Sequence, residues 1–473
     1  MKKQKELIKN TIIIMIGKIF TQLISFLMLP LYTSYLITEE YGIVDLITNY
    51  VALLVPLFSL QLETAIFRFL IEVRNSDREK TKLISTNLIL MLFFILLFVV
   101  LFLITNIFVS IKYSIYILLI IAINMISSDF MQIARGLGRN IDYSISGVIS
   151  GVTTIILNVI FIVFMKMGAK GMLLAILIAN ILNVIYLFAR LKIYLFIKKD
   201  NYEKAIAKDM LKYSIPLIPN SISWWVMNVS DRTIISTVLG VAQNGIYAVS
   251  NKFPAILSSL FGMFNLSWSE SASININDDD RNQFFSSVFN NVISFFGYIG
   301  LILLSVIPII FSILVKGGYE DAYFYIPILL YASFFSLMAA QYGSIYIAKK
   351  ETKKIAITTI VSALINILIN VLLINKIGLY AASLSTVFSY MFIMIYRHCD
   401  TKKYVQIKYN IKDIFIISIL AVITTFFYYQ KMTLINILLI IINIIVFFVF
   451  NWKKIKKIVF SIISKIIKNG DKI

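Results

Sequence analysis

The chain has 473 residues, of which 59% are hydrophobic and only 14% charged, and it carries a formal net charge of +20. A soluble domain carries about 25% charged and about 45–50% apolar residues, and a sphere of this size still has a large surface to solvate. The composition therefore excludes a water-soluble globular protein and points to lipid as the solvent. A single cysteine, Cys399, and a single histidine, His398, exclude a disulfide framework and any Cys/His metal site. The two are adjacent in a Lys-rich stretch, without the third group that would orient a nucleophile.

The chain opens with Met1-Lys2-Lys3-Gln4-Lys5, and an apolar run follows from Thr11 to about Leu36. That run is too long for a signal-peptide core and no small-residue cleavage site follows it, so it predicts a retained membrane helix. Similar stretches recur down the chain, each long enough to cross a hydrocarbon core about 30 Å thick. The predicted spans are 11–36, 42–71, 83–108, 114–134, 141–165, 171–189, 213–239, 244–273, 284–315, 323–348, 355–374, 378–396, 413–429 and 432–451. Three of them, 42–71, 244–273 and 284–315, exceed what a bilayer needs. Pro56, Pro254 and Pro308 lie inside these three and predict kinks or tilt.

Lys and Arg set the orientation. If the N-terminus is cytoplasmic, the segments on that side hold 34 basic residues and the opposite loops hold six: Lys112, Lys166, Lys170, Lys316, Lys376 and Lys431. This asymmetry predicts both termini in the cytoplasm. It also accounts for the basic charge, which faces anionic membrane lipids and not nucleic acid. The outer loops 37–41, 109–113, 166–170, 240–243 and 430–431 leave no room for an external domain. The longest cytoplasmic connection, 190–212, separates the first six spans from the next six.

That midpoint invites a search for a repeat. Sliding the first half onto the second places Lys9 on Lys212, Thr33 on Ser236, Leu36 on Leu239 and Gly42 on Gly245 without gaps. A second match sets Asn158 and Gly168-Ala169-Lys170-Gly171 against Asn370 and Gly378-Leu379-Tyr380-Ala381. Small residues at such positions let helix backbones approach closely in lipid. The predicted architecture is an all-α integral membrane protein of about fourteen transmembrane helices. Two sets of six helices related by a pseudo-repeat are followed by two C-terminal helices. The expected domains are 1–197, a cytoplasmic linker 198–212, 213–397, and 398–473 with a basic tail.

Two runs carry a family resemblance. One is Asp231-Arg232-Thr233-Ile234-Ile235-Ser236, with Leu239-Gly240, Gly245-Ile246-Tyr247-Ala248 and Asn251-Lys252 after it. The other is Asn366 and Asn370 with Gly378, Ala381-Ala382 and Ser385-Thr386. Both resemble the polysaccharide transporter branch of the multidrug/oligosaccharidyl-lipid/polysaccharide exporter superfamily. The resemblance implies a flippase for oligosaccharide repeat units on a polyprenyl diphosphate, such as those of O-antigen (lipopolysaccharide) or capsule. It also implies two six-helix lobes around a central cavity that opens alternately to each side, in the bacterial cytoplasmic membrane. It implies a functional monomer without a cofactor, working beside other polysaccharide assembly proteins.

Charged residues inside spans are costly and each needs a reason. Arg232 and Lys252 flank a short outer loop, both about 10–12 Å below the outer surface at about 1.5 Å per residue. Two cations at matched depth can converge on one diphosphate, Arg with a planar fork and Lys with a point charge. The plainer reading is that they snorkel to headgroups or pair with Asp231. Lys18 and Glu63 also fall at similar depth, as an ion pair in the cavity wall or with Lys18 meeting phosphate. Arg68 is expected to snorkel. Trp224 and Trp225 lie near mid-span, where an aromatic face can stack on sugar or simply pack between helices. Glu270 is a candidate cavity residue, whereas Asp45, Asp129 and Asp142 are expected among headgroups.

Rival functions remain open at this level. A membrane enzyme would need positioned acids, bases or nucleophiles, and the carboxylates here are scattered over separate helices. A cation-coupled drug exporter would favour acidic residues in its cavity. A flippase for a lipid-linked peptidoglycan precursor uses the same physics as the favoured reading. No Walker-type phosphate loop is present, so coupling falls to an ion gradient, the membrane potential or consumption of substrate outside.

Overall fold

The computed structural model describes residues 26–197 and 201–470, apart from the side chains of 220, 223, 224, 227, 228, 266 and 453–470. The described residues are helical throughout, with no strand among them. In chain order the helices of the first part are α1 (Leu29–Tyr35), α2 (Thr38–Phe58), α3 (Leu62–Val73), α4 (Asp77–Phe108), α5 (Ser114–Gly136), α6 (Asn140–Asn158), α7 (Gly168–Arg190) and α8 (Lys204–Ser214). They are followed by α9 (Ile218–Val238), α10 (Val241–Asn275), α11 (Arg281–Leu314), α12 (Ala322–Ala348), α13 (Thr352–Ile377), α14 (Leu379–Thr401), α15 (Ile411–Gln430) and α16 (Thr433–Gly470).

Eleven helices among the described residues are long and apolar enough to cross a membrane. The other three expected spans are the first, of which α1 is the described outer end, and those formed by α9 and α10. The latter two are long enough but are interrupted by polar residues. They are the helices that carry the motif with Asp231, Arg232 and Lys252.

The expected span 42–71 is broken, not merely kinked. Leu60 and Gln61 both adopt left-handed backbone angles, with φ of 50° and 59°, and separate α2 from α3. Pro56 removes one N–H from the helix ladder, and its carbonyl accepts from Gln61 N at 3.1 Å instead. By contrast, α10 and α11 continue through Pro254 and Pro308. Part of the expected cytoplasmic linker is also ordered as α8, whose Ala207, Met210 and Ser214 are buried on one face.

Contacts divide the chain into two compact units. The first holds the described residues up to Val249 with Gly317–Tyr319 and Ile374–Gly378, and the second holds Ser250–Lys316, Glu320–Leu373 and the residues from Leu379 on. By contact, then, the first unit runs past the expected linker to take in α9 and the start of α10. Its core is built from Val44, Leu62, Ile66, Ile121, Met125 and Leu173, among others.

Within this unit the two glycines matched by the repeat meet each other. A Cβ on Gly42 would stand 2.1 Å from the Val241 carbonyl oxygen, and one on Gly245 would stand 2.0 Å from that of Thr38. Thr38 and Val241 are themselves repeat mates in the same register, so the contact is reciprocal: each α-helix start presses its glycine on the other's first turn. Such self-complementary contacts belong to two-fold symmetry, and only glycine leaves room for backbones this close.

The second unit is organised around Trp268, Phe285, Phe289 and Phe296. The final hairpin docks on it through polar groups. Tyr298 donates to Asp413 at 2.8 Å, Asn443 Nδ2 donates to Ser305 Oγ at 2.7 Å, and Tyr323 and Tyr428 exchange hydroxyl-to-carbonyl bonds of 2.6 and 2.8 Å. Before that hairpin an extended segment is laced to α11. The amides of Gln406, Lys408 and Asn410 donate to Asn282 Oδ1, Ser286 Oγ and Asn290 Oδ1 at 2.8–2.9 Å. The spacing works because four helical residues rise about 6 Å and two extended residues about 6.6 Å.

Both halves carry an ion pair at corresponding positions. Asp142 and Lys354 lie equally far before the matched residues Asn158 and Asn370, and Arg190 and Asp400 equally far after Gly168 and Gly378. Arg190 Nε meets Asp142 at 3.1 Å, and Lys354 Nζ meets Asp400 at 3.4 Å. The sign of each partner is exchanged between the halves. Asp142 is buried and also takes Arg139 at 2.7 Å and the Tyr186 hydroxyl at 3.1 Å, so it is not the headgroup-solvated residue expected. Beside the second pair, Lys354 and the Tyr404 hydroxyl hold the Glu351 carboxyl below its usual range.

The glycine contact yields a direct prediction. Gly245→Val forces α2 and α10 apart, and overpacking of this kind costs about 1–3 kcal/mol. The purified variant should unfold at a lower temperature in detergent, while Gly262→Val, which meets nothing within 4 Å, should leave the transition in place.

Candidate substrate-binding site

The polar helix α9 lies against α2 in the first unit, and its interactions are specific. Gln61, at the break after α2, reaches Ser221 through its amide. Trp225 donates its indole N–H to Asn49 O at 2.8 Å, with its ring 5.5 Å from that of Tyr50. The Tyr50 hydroxyl is 3.1 Å from Thr233 Oγ1. At the residue before Thr233, Arg232 Nε donates to Asp45 Oδ2 at 2.8 Å, with the two side chains only 14% and 13% exposed.

The start of α10 completes the group. Asn244 Nδ2 donates to Gly42 O at 2.9 Å and to Asp45 Oδ2 at 3.4 Å. Tyr247 donates its hydroxyl to Asp231 Oδ2 at 3.2 Å, and its ring lies 6.0 Å from the Arg232 guanidinium. Asp231 and Arg232 thus point to different partners, as neighbours about 100° apart on a helix must. The close approach at Gly42 and Gly245 is what brings Asp45 within reach of both Asn244 and Arg232.

The other predicted residues fall elsewhere. Lys252 is half-buried on α10 in the second unit, and Glu270 on the same helix is exposed. Glu63 is buried in α3 and accepts from Ser59 Oγ at 2.7 Å. Lys18, and with it the expected Lys18–Glu63 pair, lies outside the described residues, as does the Trp224 side chain. Arg68 is half-exposed beside Glu72 at 2.7 Å.

Three charged residues have roles that the sequence reading missed. Asp45 was expected among headgroups but is Arg232's partner. It lies seven residues inside α2 and Arg232 six before the end of α9, a matched depth that was readable in the sequence. Asp129, also expected among headgroups, is fully buried and receives the Asn87 amide on both oxygens at 2.8 and 2.9 Å. Arg397, counted with the cytoplasmic loop, is 5% exposed inside the helix bundle. Its guanidinium donates to the Ala339 carbonyl at 3.0 Å and to Thr358 and Thr359 hydroxyls at 2.9–3.2 Å. This is a packed structural cation.

Comparisons with known proteins define the fold and the family. The chain is similar to an inward-facing multidrug resistance MATE family transporter of the MOP superfamily, with 14% identity and a TM-score of 0.66 over 82% of this chain and 98% of that one. It is similar also to the lipid II flippase MurJ in an inward closed conformation, with 20% identity and a TM-score of 0.68 over 95% of this chain and 100% of that one. The fold is therefore the multi-pass membrane fold of this transporter superfamily. A family model described as polysaccharide biosynthesis protein matches residues 7–269, and the chain belongs to that family, in the polysaccharide transporter branch that its motifs resemble. No curated protein matches the chain.

The Arg232–Asp45 pair can be probed by a double-mutant cycle. Removing one partner of a buried ion pair costs about 3–5 kcal/mol, because the other charge is left uncompensated. Asp45→Asn alone should therefore lower the unfolding temperature more than Arg232→Gln with Asp45→Asn together.

Proposed function

We propose that this protein is a flippase that carries polyprenyl-diphosphate-linked oligosaccharide repeat units across the bacterial cytoplasmic membrane, with both of its own termini in the cytoplasm. The observation that carries the proposal is a guanidinium buried about 9 Å inside a membrane helix, in a chain of the polysaccharide biosynthesis family. A diphosphate in hydrocarbon is prohibitive without cationic partners. Arg232 supplies a fork that matches phosphate geometry, and Asp45 holds it in place until the substrate arrives. Lys252 supplies a second charge. The glycan travels in the polar interior while the prenyl tail stays in lipid, and alternating access exposes the head to the outer side.

The likeness to the lipid II flippase over the full length of both chains favours a second reading, a lipid-linked peptidoglycan precursor as cargo. The family match favours surface polysaccharide, O-antigen or capsule, and no chemical step is required of the protein in either case.

Transport of a fluorescent polyprenyl-diphosphate oligosaccharide in proteoliposomes tests the proposal. The charge-balanced variant Arg232→Gln with Asp45→Asn should insert and fold, yet flip the lipid at least tenfold more slowly, and Lys252→Gln should also slow it. Wild-type rates in both variants would remove these cations from the mechanism. An absence of flipping by the wild-type protein, with drug efflux in its place, would overturn the flippase reading.

A further inference from the structure

The first unit also contains an open cavity of about 410 Å³, separate from the Arg232 group and lined by residues of α1, α5, α6 and α7. Its polar lining includes Tyr32, Asn124, Ser150, Thr154, Asn180 and Asn183. Counting from the cytoplasmic ends of α5, α6 and α7, these groups on the three long helices lie about 10–20 Å deep at about 1.5 Å per residue. That is hydrocarbon depth, where polar groups are expensive unless they face a cavity or one another.

Tyr32 joins α1 to α6 by accepting from Asn158 Nδ2 at 2.8 Å, whereas three of the others bond back along their own helices. Asn124 and Asn180 give their amides to Ile120 O and Ile176 O, each one turn back on its own helix at 2.9 Å, and Thr154 does the same to Ser150 O at 2.8 Å. Asn183 is 2% exposed, with only the Met131 sulfur 3.9 Å from its amide, and its Oδ1 has no hydrogen-bond partner. That oxygen is itself fully buried, so the amides within reach of a ligand are those of the half-buried Asn124 and Asn180.

The chemistry of the lining selects the ligand. Among the described residues no acidic or basic side chain lines the cavity, so neither a cationic drug nor a phosphate finds a counter-charge from them. An apolar group would leave the amides unsatisfied. A neutral group dense in hydroxyls both donates to the Asn oxygens and accepts from the Ser and Thr hydroxyls. The volume lies within the range of about 300–1,000 Å³ typical of small-molecule sites. Gly147 keeps one wall open, since a Cβ there would meet nothing within 4 Å.

We infer that this cavity is a sugar subsite, which takes a neutral sugar residue of the transported glycan while the diphosphate is held elsewhere. The inference rests on the lipid-linked oligosaccharide reading and adds to it a recognition site free of charge.

The test compares two probes on the purified full-length protein: a short-chain polyprenyl diphosphate without sugar, and the same lipid bearing one neutral N-acetylhexosamine. The sugar should raise wild-type affinity at least tenfold. Two independent variants should abolish that gain while leaving affinity for the bare diphosphate unchanged: Asn124→Leu with Asn180→Leu, which removes the acceptors, and Gly147→Leu, which fills the space. Gly262→Leu, equally unhindered, should keep the gain. If the wild-type protein binds both lipids equally, or if both variants retain the sugar's advantage, the cavity holds only water and the inference fails. If the wild-type protein binds neither lipid, the lipid-linked reading fails with it.

Discussion

The reciprocal contact between Gly42 and Gly245 is the constraint on which the candidate site depends. It sets the start of α2 against the start of α10 at backbone distance. With the helices that close, Asn244 reaches both Gly42 O and Asp45, and Asp45 in turn meets Arg232. A separation larger by one methyl group would unmake the geometry from the helix start inward. In water such a contact would be one of many packing details. In lipid there is no hydrophobic force between helices, and close backbone approach with internal hydrogen bonds must supply the association.

The same scarcity of partners explains the polar pairs elsewhere. Asn87 with Asp129 joins consecutive helices, and Tyr298 with Asp413 and Asn443 with Ser305 join helices distant in sequence. Each leaves water behind only because its partner is waiting. The Arg397 guanidinium reaches the same end with hydroxyls and carbonyls alone, which shows that a buried cation in this chain is not by itself a substrate contact. What distinguishes Arg232 is its setting: the polar helix α9, shared with residues of the motif that the family resemblance picks out.

Much of the fold was legible because hydropathy and Lys/Arg placement report depth, and depth is what a bilayer imposes. The spans, the midpoint and the repeated glycines followed from that. Direction around a helix was not legible. Asp45, Asp129 and Asp142 were assigned to headgroups by depth alone, whereas their helices turn them inward to Arg232, Asn87 and Arg190. Two left-handed residues after Pro56 broke a span that composition showed as continuous. The neutral cavity escaped notice for a different reason: Asn, Ser and Thr are unremarkable in a census of charges, and only their convergence from four helices marks them.

The exchanged ion pairs bear on how so symmetrical a chain assembles. The first half is inserted before the second is made, and its fifth and sixth helices resemble those that follow. Exchange of partners between halves would set Asp142 beside Asp400 and Lys354 beside Arg190, two like-charge encounters in place of two attractions. The pairs therefore act as keys cut with opposite teeth, under which each half accepts its own helices and repels its twin's.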